Sequence, residues 1–426
     1  MPRLLRGRLP AWFVYLGVLG PGLVSASAGN DVGGIATYAS IGARYGYDMI
    51  WVMVAIAVPL LVIQEQCARM GAVTGKGLTD LIREEFGPRW TVLVMLGLLI
   101  ANGGVIVSEF VGIGAAAELF GVNRYLVVPI MAVVVWWLIV KGNYRQVERV
   151  FLALTLVFLA YPISAILAHP DWGQALHSAV VPTFRPDPAY ILLFVATVGT
   201  TISPYMQVGQ QDLVVEKGVT ADELGSTRVG VVVGTVFAIL VAIFIIIATA
   251  ATLYDAAVRA GQPGVEITTA DQAARALQPL AGRYAEALFG IGIFGASMLA
   301  AGVLPLATAL SVCEAFGWER GVELDLQEAP VFYGLLTFLI AAGAVVALTP
   351  GVPVIHMLIA VQVINGLVLP IILICVTRIA GNREVMGQYA NGRLYKAAAW
   401  LITASMAALA LLMVVTTILP AVGVSF

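Results

Sequence analysis

"SAGNDVGG", residues 27–34, lies inside the first long apolar stretch of the chain, between the apolar runs 11–24 and 35–43. An amide, a carboxylate and three glycines stand where lipid-facing leucines are expected. An ionised Asp at the centre of a bilayer costs about 2.5–3.5 kcal/mol even on a lenient insertion scale. Asp31 therefore has to face a partner or an aqueous path, and the helix around it has to be interrupted. Working outward, the chain has 426 residues, of which 60% are hydrophobic and 11% charged. Soluble domains carry about 25% charged residues, so the class is an all-α integral membrane protein.

A helix needs about 20 apolar residues to cross the hydrocarbon layer. Eleven spans are expected, at 11–43 (interrupted), 48–71, 91–118, 124–141, 147–168, 187–216 (interrupted), 229–254, 282–315, 329–349, 353–377 and 395–420. The longest polar stretch, 255–283, is expected to hold a short amphipathic surface helix. The basic N-terminus "MPRLLRGRLP" reads as a cytoplasmic tail, because no A-x-A cleavage pattern follows it. With it inside, seventeen Lys and Arg fall inside. Six fall outside, namely Arg44, Arg124, Arg185, Arg259, Arg275 and Arg283. That asymmetry satisfies the positive-inside rule and places the C-terminus outside a cell inner (plasma) membrane. A net charge of -2 with no basic run offers nothing to nucleic acid. Cys67, Cys313 and Cys375 lie in or beside apolar segments and show neither CxxC nor disulfide-framework spacing.

A second interruption, "GTTISPYMQ" at 199–207, falls in the sixth span. Pro204 removes a backbone donor and clashes with the carbonyl four residues earlier. Breaks at matching places in two halves point to an inverted-repeat transporter with its site at the midplane. Spans one and six imply five plus five helices, with repeat one at about 11–168, repeat two at about 187–377 and an extra helix at about 395–420, all one transmembrane domain. Unwound backbone at membrane depth persists only where it lines a cavity or meets a ligand. Exposed carbonyls beside a carboxylate suit a hard cation.

Five blocks in order resemble the Nramp family of divalent-metal transporters. They are "GPG" at 20–22 followed nine residues later by Asp31, "RMGAVTGKGLTDLIREEFG" at 69–87, "GNYRQVERV" at 142–150, "LFGIGIFGASMLAAGVLPLATALSVCEAFG" at 288–317 and "VQVINGLVLP" at 361–370. The resemblance implies a leucine-transporter-type fold with a metal ion held between broken helices 1 and 6. The family's Asp-Pro-Gly-Asn motif falls on Asp31, Val32, Gly33 and Gly34. Its Met-Pro-His falls on Ser203, Pro204 and Tyr205, and its tenth-span Gln on Gln362. The motif's Asn and Met ligands are thus absent, with Asn30 as a neighbouring substitute and Met206 expected only to pack. The implied metal set is Asp31, Ser203, Thr200, Ala28, Gln362, Asn30, Gly34 and Gln207, all oxygen donors.

A soft thioether favours transition metals over magnesium, and its loss removes that preference. "NDVGGIATY" with "GTTISPYMQ" resembles the Nramp-related magnesium-transporter branch. The expected cargo is Mg²⁺ first and Mn²⁺ next, as substrate and not as cofactor. Of the family's three titratable coupling groups, the Asp falls on Glu109, the Glu on Gly112 and the His on Tyr205, so weak or absent proton coupling is expected. Glu109, Tyr205 and Glu65 are the coupling or gating candidates, with Glu65 paired to Arg69 four residues on. Lys76 and Asp80, also four apart, read as an exposed pair of little worth. Asp212 and Glu216 read as a solvated helix face.

The expected partners are a divalent ion and the lipid bilayer, with the chain working as a monomer. An amino-acid or other organic-solute carrier of the same fold is the alternative. The amine of such a solute would meet Asp31, and its carboxylate the half-helix after Pro204. An enzyme is disfavoured, because His169, His177 and His356 fall in no HExxH pattern and no GxSxG is present. A signalling receptor is disfavoured by the lack of a soluble domain.

Overall fold

The structure, a computed structural model, describes residues 31–141, 160–322, 324–350 and 353–418. The described residues are helical throughout, joined by turns. Helix α1 spans Val32–Tyr45, α2 Ile50–Thr74, α3 Leu78–Phe86, α4 Pro88–Leu119 and α5 Arg124–Lys141. Then come α6 at Ala160–Leu167, α7 at Trp172–Val180, α8 at Pro188–Thr201, α9 at Pro204–Glu216 and α10 at Leu224–Thr249. The last four are α11 at Ala285–Phe316, α12 at Pro330–Ala347, α13 at Val354–Ala380 and α14 at Arg393–Met413.

Nine segments among the described residues are long and apolar enough to cross a bilayer. Of the two other expected spans, the second half of the first is seen as α1 and the end of the fifth as α6. The rest of both lies outside the described residues.

Long apolar stretches make these helices, and lipid explains their exposed leucines. Leu126, Val133 and Trp137 on α5, Phe338 and Val345 on α12, and Leu401 and Leu411 on α14 are all exposed. Such residues are neutral against acyl chains, so these three helices form the rim. The centre is α1, α8 and α9 packed between α2 and α10 on one side and α4, α11 and α13 on the other. Small residues allow that closeness.

One face carries the connection 75–87, the ends of α9 and α11, and the 381–392 turn. There Arg69, Arg83, Arg228, Arg320 and Arg378 make their contacts. We call it the basic face. Glu65 is its hub. It accepts from Arg69 Nε at 3.3 Å, Arg228 Nε at 2.9 Å and the Tyr395 hydroxyl at 2.8 Å, joining α2, α10 and α14. The expected Glu65–Arg69 pair is therefore formed.

Two expectations are corrected. Lys76 does not pair with Asp80. Gly75 breaks the helix at Thr74, so the two are not on one helix face. Lys76 Nζ instead reaches Glu84 at 2.7 Å, and Asp80 is held by Arg83 at 3.2 Å. The polar stretch 255–283 holds not one but several short helices, among them Asp255–Arg259, Ala270–Ala274 and Gln278–Ala281, folded onto the end of the bundle opposite the basic face. Ile267, Ala273, Ala276 and Leu277 are buried. The Val265 N–H donates to the Ala43 carbonyl at 2.9 Å, and Ser164 Oγ to the Ala276 carbonyl at 2.7 Å.

Candidate functional site

Helix α8 stops at Thr201 and α9 starts at Pro204. Ile202 (φ -117, ψ 54) and Ser203 (φ -69, ψ 147) leave the helical region between them. The cause is local, because Pro204 has no N–H to give the Thr200 carbonyl. Ser203 occupies the N-cap position, yet its side chain makes no cap bond. Thr200 Oγ1 and Ser203 Oγ are fully buried and have no hydrogen-bond partner among the described residues. Buried hydroxyls without partners are rare and call for an explanation.

Opposite this break is the start of α1. Asp31 (2% exposed) caps it, its Oδ1 accepting from the Gly34 N–H at 2.6 Å. From α13, Gln362 Nε2 donates to both carboxylate oxygens, at 3.2 and 3.4 Å. Gln362 is aimed by Asn365, whose Nδ2 donates to Gln362 Oε1 at 2.8 Å. Residue 33 has to be glycine for this approach, since a Cβ there would lie 2.1 Å from Gln362 Nε2. Thr200 stands beside the Asp31 carboxylate. The Tyr38 hydroxyl, two turns up α1, meets Thr201 Oγ1 at 2.9 Å and ties the two broken elements together.

The electrostatics are those of a cation site. The C-terminal end of α8 presents carbonyls, the negative end of its dipole. Asp31 adds a buried carboxylate that accepts from the Gly34 N–H and from the Gln362 amide. Gln362 thus offers N–H groups where a cation would sit, so its role as an oxygen donor needs a rotated amide. Gly34 meets the carboxylate through its N–H, which a cation does not take, so its contribution is to hold Asp31.

Gln207, one turn below Ser203, donates to the Ser203 carbonyl at 3.5 Å and keeps its own oxygen without a partner among the described residues. Met206 is buried in the main apolar cluster. Ala28 and Asn30 lie outside the described residues.

Glu109 on α4 is fully buried, and neither carboxylate oxygen has a hydrogen-bond partner among the described residues. It faces Ser297, whose Oγ is equally without one, and the backbone of Val32. Gly112, one turn on, has no room for a carboxylate, because a Cβ would lie 2.3 Å from Ser297 Oγ and 2.9 Å from a Val32 methyl. Val32 and Gly112 are therefore complementary in shape. Tyr205 is buried in the first turn of α9. Glu65 is not at this site but in the ion-pair hub of the basic face.

The structure adds Asn365, Tyr38, Thr201 and Ser297 to the sequence-derived set. Asn365 and Tyr38 both stand in the quoted blocks "VQVINGLVLP" and "NDVGGIATY". Helical spacing, 362 to 365 and 31 to 38, was the available signal.

Residues 22–416 match the family described as "Natural resistance-associated macrophage protein-like" (Nramp). Among curated relatives, the "Divalent metal cation transporter MntH" of Ralstonia nicotianae is 29% identical over 415 residues, covering 92% of this chain and 89% of that protein. Among solved structures, the Eremococcus coleocola manganese transporter in complex with an aromatic bis-isothiourea compound superposes with a TM-score of 0.76 at 19% identity. It covers 97% of this chain and 90% of its own. MhsT in complex with L-phenylalanine follows at 0.58 and 14% identity, covering 93% and 97%. At these identities the two structures speak for the fold, which is leucine-transporter-like.

Proposed function

The chain belongs to the Nramp family, and from that premise we propose that it carries a divalent metal cation across a cell membrane by alternating access. The observation that carries this reading is the buried Asp31 carboxylate facing the break between α8 and α9, where Thr200 and Ser203 hold unsatisfied oxygens. Asp31 supplies the charge. The Thr200 carbonyl freed by Pro204, Ser203 Oγ and a rotated Gln362 supply neutral oxygen, with Gln207 next along α9. Ala28 and Asn30, which lie outside the described residues, belong to the proposed set on the sequence pattern alone.

Mg²⁺ is the preferred cargo and Mn²⁺ the next. The donor set is all oxygen, and it leaves coordination positions for the waters that Mg²⁺ releases reluctantly. That the structural neighbour is a manganese transporter and the relative a divalent metal cation transporter supports a divalent cargo. Coupling to protons is weak or absent, because Gly112 and Tyr205 replace two titratable groups. Voltage suffices as the driving force, since a divalent ion crossing the full field gains about 4.6 kcal/mol per 100 mV. We read the molecule as eleven spans in a five-plus-five inverted repeat with helices 1 and 6 both broken. It works as a monomer, its basic face cytoplasmic and its C-terminus outside.

The test is uptake into proteoliposomes holding a Mg²⁺-sensitive dye. External Mg²⁺ should raise the signal, and Asp31→Asn should lower the rate by about 100-fold while leaving the protein folded. Asn keeps an oxygen for the cap and loses the charge together with one of the two acceptors that Gln362 meets. Uptake of a labelled amino acid with metal inert would favour the organic-solute carrier. Acidification of the lumen during metal entry would rule out weak coupling.

A further inference from the structure

From the break, α9 runs to the basic face. Ser203, Gln207 and Gln211 stand four residues apart on it and so share one side. All three are fully buried, and each keeps a side-chain oxygen without a hydrogen-bond partner among the described residues. The row ends at a built site. Gln211 Nε2 donates to the Lys76 carbonyl at 2.8 Å, which puts its free Oε1 beside the 76–77 peptide. Glu314 reaches the same peptide from α11, its oxygens 2.3 and 2.4 Å from the place a Cβ on Gly77 would take.

Thr79 Oγ1 donates to Glu314 Oε2 at 2.7 Å, and Arg320 Nη2 to Oε1 at 2.9 Å. The same Arg320 nitrogen is 3.9 Å from Asp80. Next to Gln211, Asp212 has a buried Oδ1 with no partner among the described residues, and its electrostatic neighbours are Glu314, Glu216, Arg320 and Asp80. Of the expected solvated face, Glu216 is exposed, while Asp212 is half-buried with its Oδ1 covered. Four carboxylates here meet Arg83, Arg320 and, at the rim, Lys217, so negative charge is in excess.

We propose that Asp212, the Gln211 side-chain oxygen and Glu314 form a second divalent-cation site at the basic face, where the ion pauses after leaving Asp31. This rests on the transport reading above. The donors are a carboxylate, an amide oxygen and a second carboxylate, which is the set for a hard ion with retained waters. Arg320 holds Glu314 and so competes with an ion for it. Its side chain is 37% exposed, so it has a route to solvent. As a tethered competitor it keeps the ion's hold weak, which a site on an exit route requires.

The experiment counts Mn²⁺ bound to the full chain in nanodiscs, by calorimetry and by the electron paramagnetic resonance of bound Mn²⁺. Wild type should bind two ions, one more weakly. Asp31→Asn should keep the weaker one, and Asp31→Asn with Asp212→Asn should keep none. In the Asp31→Asn background, Gln211→Leu should weaken the remaining site severalfold, and Arg320→Gln should tighten it about tenfold. Thermal unfolding of each variant confirms the fold, and the Gln211 and Arg320 variants decide the matter should the Asp212 variant misfold. Loss of all binding in Asp31→Asn overturns the second site and leaves the first standing. Residual binding that survives Asp212→Asn overturns the assignment. A wild type that binds no Mn²⁺ overturns both readings.

Discussion

Asp31 does two jobs with one carboxylate. Oδ1 caps α1 through the Gly34 N–H, and both oxygens take the Gln362 amide. Gln362 depends in turn on Gly33, so Gly33→Ala should displace it. We expect metal affinity to fall about tenfold with little change in thermal unfolding, measured by calorimetry and a melting curve. Ser203 is where the related pattern has a thioether. Ser203→Met should restore a soft donor, and Cd²⁺ should then block Mg²⁺ uptake at concentrations well below those needed in wild type. Unchanged competition would mean that residue 203 does not face the ion. The polar residues at this scale were legible in the sequence because each is costly at its depth. Asp31, Thr200, Ser203 and Gln362 stand out from apolar runs for that reason. Asn365 and Tyr38 were in view but not chosen, because amides and phenols in apolar helices often only satisfy each other.

At the scale of elements, the break between α8 and α9 is written into three residues. Pro204 withdraws an N–H, and Ile202 and Ser203 take the extended path. Pro204→Ala supplies the missing donor and permits one continuous helix. Transport should drop about tenfold while the melting temperature holds or rises. A variant that transports normally would show that the break is not needed. The stretch 255–283 teaches the reverse. Its scattered apolar residues suggest an amphipathic helix on the surface. Ile267 and Leu277 instead bury themselves separately, one in a connecting segment and one in a run of short helices, held by bonds such as Val265 to Ala43. Periodicity over so short a stretch does not outweigh such tertiary contacts.

The whole molecule is asymmetric about Asp31. On the side opposite the basic face, a small pocket lined by Val32, Ile35, Ala36, Phe289, Ile293 and Leu358 is entirely apolar and is capped by Ala270 and Ala273. On the basic side lie buried polar groups, Gln66, Gln207, Gln210 and Gln211 among them. The surroundings of Asp31 are thus apolar on one side and polar on the other. In the orientation proposed above, with the basic face inside, a water-soluble thiol reagent applied outside should modify Ile293→Cys about 100-fold more slowly than the exposed Tyr284→Cys. The native cysteines are buried and give little background. Equal rates would mean that the outer side is open at rest.

The sequence by itself determined the all-helical membrane class, the nine spans seen among the described residues and the break before Pro204. Those follow from local costs, namely apolar length, charge at depth and a proline without a donor, and each is paid where the residue stands. Only the tertiary structure decided that Gln362 reaches Asp31 with N–H groups, that Val32 and Gly112 fit each other, that Lys76 turns to Glu84, and that Asp212 keeps a covered oxygen. These are contacts between residues up to hundreds of positions apart. Their geometry depends on how helices pack, and no local cost in the chain records it.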